Sequence, residues 1–105
     1  MSYKALSSIL KILGDSSRLE IIDLLSCGEL CACDLLEYFK FSQPTLSHHM
    51  KLLINHDLVS SRKEGNKRMY NLNHDILKAV IDNLNTIHLA DASCVCKNIQ
   101  SGECL

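Results

Sequence analysis

Residues 31–57, CACDLLEYFKFSQPTLSHHMKLLINHD, decide how this chain folds. In CACDLLEYFK, Ala32, Leu35, Leu36 and Phe39 recur at the spacing of one helix face. FSQPTLSHHMKLLINHD opens with Ser42, a residue type that caps free backbone N–H groups. Pro44 follows in the first turn, where a missing N–H costs little. Leu46, Met50 and Leu53 then form a second inward stripe. Only Lys40 to Gln43 separate the two segments, which predicts a helix-turn-helix.

After Asn55-His56-Asp57 the period changes to two. LVSSRKEGNKRMYNL predicts two short strands around Glu64-Gly65-Asn66-Lys67, a hairpin that reads as a wing. Upstream, YKALSSILKIL places Leu6, Ile9, Leu10 and Leu13 at helical spacing, and Gly14-Asp15 stops it. A second helix starts at Asp15 or Ser16, carries Leu19, Ile22 and Leu25 inward, and ends at Gly28. HDILKAVIDNLNTIHLA is a last helix, with Leu77, Val80, Ile81, Leu84 and Ile87–His88 on one stripe. The fold class is mainly α with a small β-hairpin wing, in the order α-α-α-α-β-β-α. The chain has 105 residues, enough for one small domain, at 47% hydrophobic residues. We assign residues 1–91 to a winged helix-turn-helix domain for DNA binding and dimerisation, and 92–105 to a cysteine-containing tail.

The net charge of −1 excludes a polycation, so a nucleic-acid surface must come from local clustering. Such clusters exist. The start of the second helix of the pair is polar on one side, with Ser42, Gln43, Thr45, Ser47, His48 and Lys51. Gln can make a bidentate contact with adenine, and Ser or Thr can reach bases or phosphates. His49 lies beside the apolar stripe and reads as a packed residue instead. The wing holds Arg62, Lys63, Lys67 and Arg68, four of the eleven Lys and Arg residues, as a phosphate clamp. The expected partner is double-stranded operator DNA, which a homodimer reads with two recognition helices about one turn apart. The first and last helices are more apolar than one small core requires, and they predict the dimer interface.

MSYKALSSIL is no signal peptide, and no stretch spans a membrane, so a cytoplasmic protein is expected. Six cysteines in that reducing compartment suggest metal binding or redox chemistry. No Gly-rich phosphate loop, Cys-x-x-Cys or βαβ pattern points to an enzyme. Cys31 and Cys33 are the metal-ligand candidates, because thiolates select soft, thiophilic ions. In a regular helix residues two apart diverge by about 200°. One ion could then hold both only if the first turn unwound, which would disturb the recognition helix packed on it. A third thiolate is open among Cys27, Cys94, Cys96 and Cys104.

LGDSSRLEIIDLL, GELCACDLL, FSQPTLSHHMKLL and RKEGNKRMYNLN resemble the ArsR/SmtB family of winged-helix repressors over nearly the whole chain. The resemblance is closest to arsenic-sensing members. It implies a homodimer that holds operator DNA when metal-free and releases it when thiolates bind the inducer, trivalent arsenic or antimony. The direction of that switch rests on the resemblance alone. Some arsenic-sensing members carry Cys-x-Cys-x-x-Cys, whose third position here is Leu36. Zinc-sensing members use a ligand set matched by Asp75, His88 and Asp91, but Leu77 replaces its first His, so no working zinc site is expected there. The alternative within the fold is a repressor responsive to cadmium, lead or zinc, or to thiol oxidation.

Overall fold

The computed structural model describes residues 1–89. It contains α1 (Tyr3–Leu13), α2 (Ser16–Leu25), β1 (Leu30–Cys31), α3 (Ala32–Phe39), α4 (Gln43–Asn55), β2 (Val59–Glu64), β3 (Lys67–Leu72) and α5 (His74–His88). The expected order of helices and hairpin holds, with one addition. β1 joins the hairpin, making a three-stranded antiparallel sheet in the order β1-β3-β2. Leu30 pairs with Tyr70 and Cys31 with Met69, while β2 runs against β3 from Val59–Leu72 to Glu64–Lys67. Gly65 turns the hairpin at φ 61°, a left-handed conformation that glycine adopts without a Cβ penalty. No helix among the described residues is long and apolar enough to cross a membrane.

Polar side chains start four of the five helices. Ser2, Asp15, Ser42 and Asn73 accept the backbone N–H of Ala5, Arg18, Thr45 and Ile76. Such caps each stabilise a helix by about 1 kcal/mol. Lys40 closes α3 in a left-handed conformation, its N–H donating to Leu36 O at 2.9 Å, which makes the turn into α4 short.

The core joins Leu6, Ile9 and Leu13 of α1, Ile21, Ile22 and Leu25 of α2, Leu35, the α4 stripe Leu46–Met50–Leu53, and Leu58, Val59, Tyr70 and Leu72 around the sheet. Leu19 differs from expectation and is 52% exposed. It sits about 120° around the helix from Leu25, at ~100° per residue, whereas Arg18 lies near the centre of the stripe. Arg18 turns inward there and donates from Nε to Ile12 O at 2.7 Å. In α5 only Val80 is buried, while Leu77 packs half-buried on the core. Ile81, Leu84 and Ile87 of the same predicted stripe are 51%, 40% and 55% exposed. The boundary expected at residues 91/92 lies outside the described residues.

Candidate DNA-binding face and thiol site

The helix-turn-helix is α3 and α4, and α4 leaves Gln43, Thr45, Ser47, His48 and Lys51 exposed. Ser42 accepts Thr45 N–H at 3.3 Å and donates its hydroxyl to Thr45 Oγ1 at 2.9 Å. These two residues therefore shape the helix start and still face solvent. Ser47, Lys51 and Asn55 of α4 line one concavity with Ser61 of β2 and Arg68 of β3. Recognition helix and wing thus share a face. Asn55 and Ser61 were not among the expected contacts. Asn55 falls one turn after Lys51, a spacing that marks the same helix face.

His49 is half-buried, as its place beside the stripe predicts. Its Nδ1 lies 3.1 Å from Arg18 Nη1, and its ring is 5.4 Å from that of Phe41. Burial holds its pKa below the ordinary 6.5, with the nearby Arg18 and His48 acting in the same direction and Asp15 opposing.

On the wing Lys63, Lys67 and Arg68 are exposed. Arg68 Nη1 lies 3.5 Å from Ser61 Oγ. Arg62, the fourth residue of the expected clamp, is exposed as well but ion-paired within the chain. Its Nε and Nη2 donate to the two carboxylate oxygens of Glu29 at 2.9 and 2.7 Å, and Nη2 also reaches Glu64 at 2.7 Å. Asn71 Nδ2 adds a third bond to Glu29 at 2.6 Å. The Arg62 and Asn71 donors hold the Glu29 carboxyl below the usual carboxylate range, and Glu29 and Glu64 push Arg62 further up.

The thiols behave differently from the regular-helix expectation. Cys31 is not a helical residue. It ends β1 and caps α3 in an extended conformation, φ −87° and ψ 161°. Its Sγ accepts Asp34 N–H at 3.3 Å, and Asp34 Oδ2 accepts Cys31 N–H at 3.0 Å, a reciprocal capping box. The ~200° divergence applies only when both residues lie in the helix. With Cys31 outside it, the two side chains converge while α3 stays complete, and here they are joined as a disulfide with Cα atoms 5.3 Å apart. The expected unwinding of the first turn is therefore not needed. Cys31 is buried and Cys33 exposed. Ligand atoms of Cys31, Cys33 and Asp34 lie within 4.8 Å of one another, a group that could hold a thiophilic ion once the two sulfurs are reduced. Cys27 is a free, exposed cysteine just past α2 and is not part of that group. Cys94, Cys96, Cys104 and Asp91 lie outside the described residues.

Comparison with known proteins matches residues 15–61 to the family described as "Bacterial regulatory protein, arsR family". That span runs from the cap of α2 through the thiol pair and α4 into the wing. An F-box domain description also matches residues 69–101. That stretch begins inside β3, the central strand of the sheet, so it is not a separate module. The arsenical resistance operon repressor of Staphylococcus aureus is 69% identical over 104 residues, 99% of this chain and all of that one. Its counterpart from Staphylococcus xylosus is 66% identical over the same shares. The solved structure of HlyU from Vibrio cholerae superposes with a TM-score of 0.69 at 30% identity, covering 84% of this chain and 98% of that one. On these matches, and on a helix-turn-helix and wing built as described, the chain belongs to the arsR family of bacterial regulatory proteins.

Proposed function

We propose that the protein is a transcriptional repressor of arsenical resistance. As a metal-free homodimer it holds operator DNA, and it lets go when Cys31 and Cys33 bind trivalent arsenic or antimony. The observation that carries this reading is the position of Cys31. One residue caps the first helix of the helix-turn-helix and ends the edge strand of the wing's sheet. The naming of the two staphylococcal relatives as arsenical resistance operon repressors supports the choice of ligand.

In this reading Gln43 and His48 face bases, and Ser42, Thr45, Ser47 and Lys51 support the helix on the backbone. Lys63, Lys67 and Arg68 neutralise phosphates. The exposed rows of α1 and α5 pair two copies. Binding first requires the sulfurs as two thiols, which takes two electrons and two protons from a low-molecular-weight thiol reductant. Each of two hydroxides on the trivalent metalloid then leaves as water with one thiol proton, and a soft sulfur–metalloid bond forms in its place. The Cys31 sulfur then serves a ligand instead of the Asp34 N–H, and the cap of α3 weakens. Since α3 packs on α4, and β1 on β3, one event reaches both DNA-contacting elements. That gives the ligand the differential affinity for two states that a switch needs.

The test is fluorescence anisotropy on a palindromic duplex, selected for binding from a randomised pool, under reducing conditions. Titration with arsenite or antimonite should release the DNA at lower concentration than cadmium or zinc. Release by zinc or cadmium alone would replace the metalloid reading with the metal-sensing one.

A further inference from the structure

We infer that Glu29 is a positioning residue for the DNA-binding wing. Its carboxylate ties the strand bearing Cys31 to the wing strands, so ligation of the thiols moves the wing through it. The inference rests on the functional reading above.

Three donors converge on Glu29, two from Arg62 on β2 and one from Asn71 on β3, at 2.6–2.9 Å. Glu29 stands two residues before Cys31, directly ahead of β1. The register closes the link from the other side. Met69 of β3 faces Cys31 across one edge and Arg62 across the other. A row Cys31–Met69–Arg62 therefore runs from thiol to wing, and Glu29 bridges its two ends. The strand β1 is two residues long, so its ladder alone is a weak connection. A bidentate, charge-assisted pair is the kind that holds geometry where ordinary surface pairs do not. The Glu29 side chain is 26% exposed and that of Arg62 51%, which places the anchoring end inside.

The competing role for Arg62 is a phosphate contact. Its guanidinium faces two carboxylates, so Arg62, Glu29 and Glu64 together carry one net negative charge, which disfavours DNA phosphate. A purely structural ion pair is the other reading. It would raise or lower operator affinity equally with and without inducer. A positioning tie changes the ratio of those affinities, which measures coupling.

The experiment uses the full chain and the selected duplex, with Kd measured without arsenite and at saturating arsenite. Glu29→Gln, Arg62→Gln and the double variant form a cycle. Each single variant is expected to shrink the arsenite-driven change in Kd by about threefold or more. The double variant should lose no more than either single, because both break one tie. Arsenite binding to the thiols should persist. If Glu29→Gln fails to fold, Arg62→Gln, on the exposed side of the pair, decides the matter alone. Unchanged ratios, or losses that multiply in the double variant, overturn the inference. A wild-type protein that ignores arsenite overturns the functional reading, and this inference with it.

Discussion

The sulfur of Cys31 serves two ends. It accepts Asp34 N–H as a helix cap and, in the proposed function, binds the inducer together with Cys33. Serine is a better cap than cysteine but a hard oxygen ligand. Cys31→Ser and Cys33→Ser are therefore expected to fold and bind operator as the wild type does, while ignoring arsenite in the anisotropy assay. Cys31→Ala removes the cap as well, and should cost up to about 1 kcal/mol in denaturant unfolding. His49 gives a second residue-scale outcome. Its folded-state pKa lies below 6.5 because of burial, so the folded form takes up a proton less readily than the unfolded one. Stability is then complete above pH 6.5 and lost as pH falls through the folded value. Melting temperature should drop as pH falls below 6.5, and His49→Gln should flatten that part of the profile. A profile identical in both proteins would remove His49 from the account.

Among the elements, the wing makes the contrast between paired and unpaired cations measurable. Lys67→Ala should weaken binding to any duplex and lower the slope of log K against log salt by about 0.9. Gln43→Ala should cost about 1–3 kcal/mol on the selected duplex and little on random DNA. Arg62, tied to Glu29 and Glu64, should leave the salt slope nearly unchanged when replaced by Gln. The hairpin itself was legible in advance because Glu64-Gly65-Asn66-Lys67 marks a turn and Tyr70 and Leu72 alternate with more polar residues in β3. The strand β1 was not, since two residues show no period. That single hidden element reversed the reading of the thiols. Taken as helical, Cys31 and Cys33 point apart; taken as strand end and cap, they meet. The pairing of Arg62 with Glu29, 33 positions away, was likewise beyond any local pattern.

At the scale of the whole molecule, the apolar count of α1 and α5 predicted more burial than one chain provides. Val80 alone is buried in α5, while Ile81, Leu84 and Ile87 keep 40–55% exposure, and Leu10 of α1 keeps 36%. Positions 81 and 84, and then 87 and 88, continue one helical stripe, so these side chains form a row and not a scatter. A second copy of this chain is the occupant that a two-fold operator calls for. Replacing Leu84 or Ile81 by Glu would place an unpaired carboxylate inside that interface, where its desolvation has no compensating partner. Both residues are already exposed in the single chain, so folding should be preserved. The expected outcome in sedimentation velocity is a folded monomer. Operator affinity should fall by about 100-fold or more, because the second half-site contact is no longer intramolecular. Affinity for an isolated half-site should stay near that of the wild type. A Leu84→Glu protein that still sediments as a dimer and still binds the full operator would place the interface elsewhere.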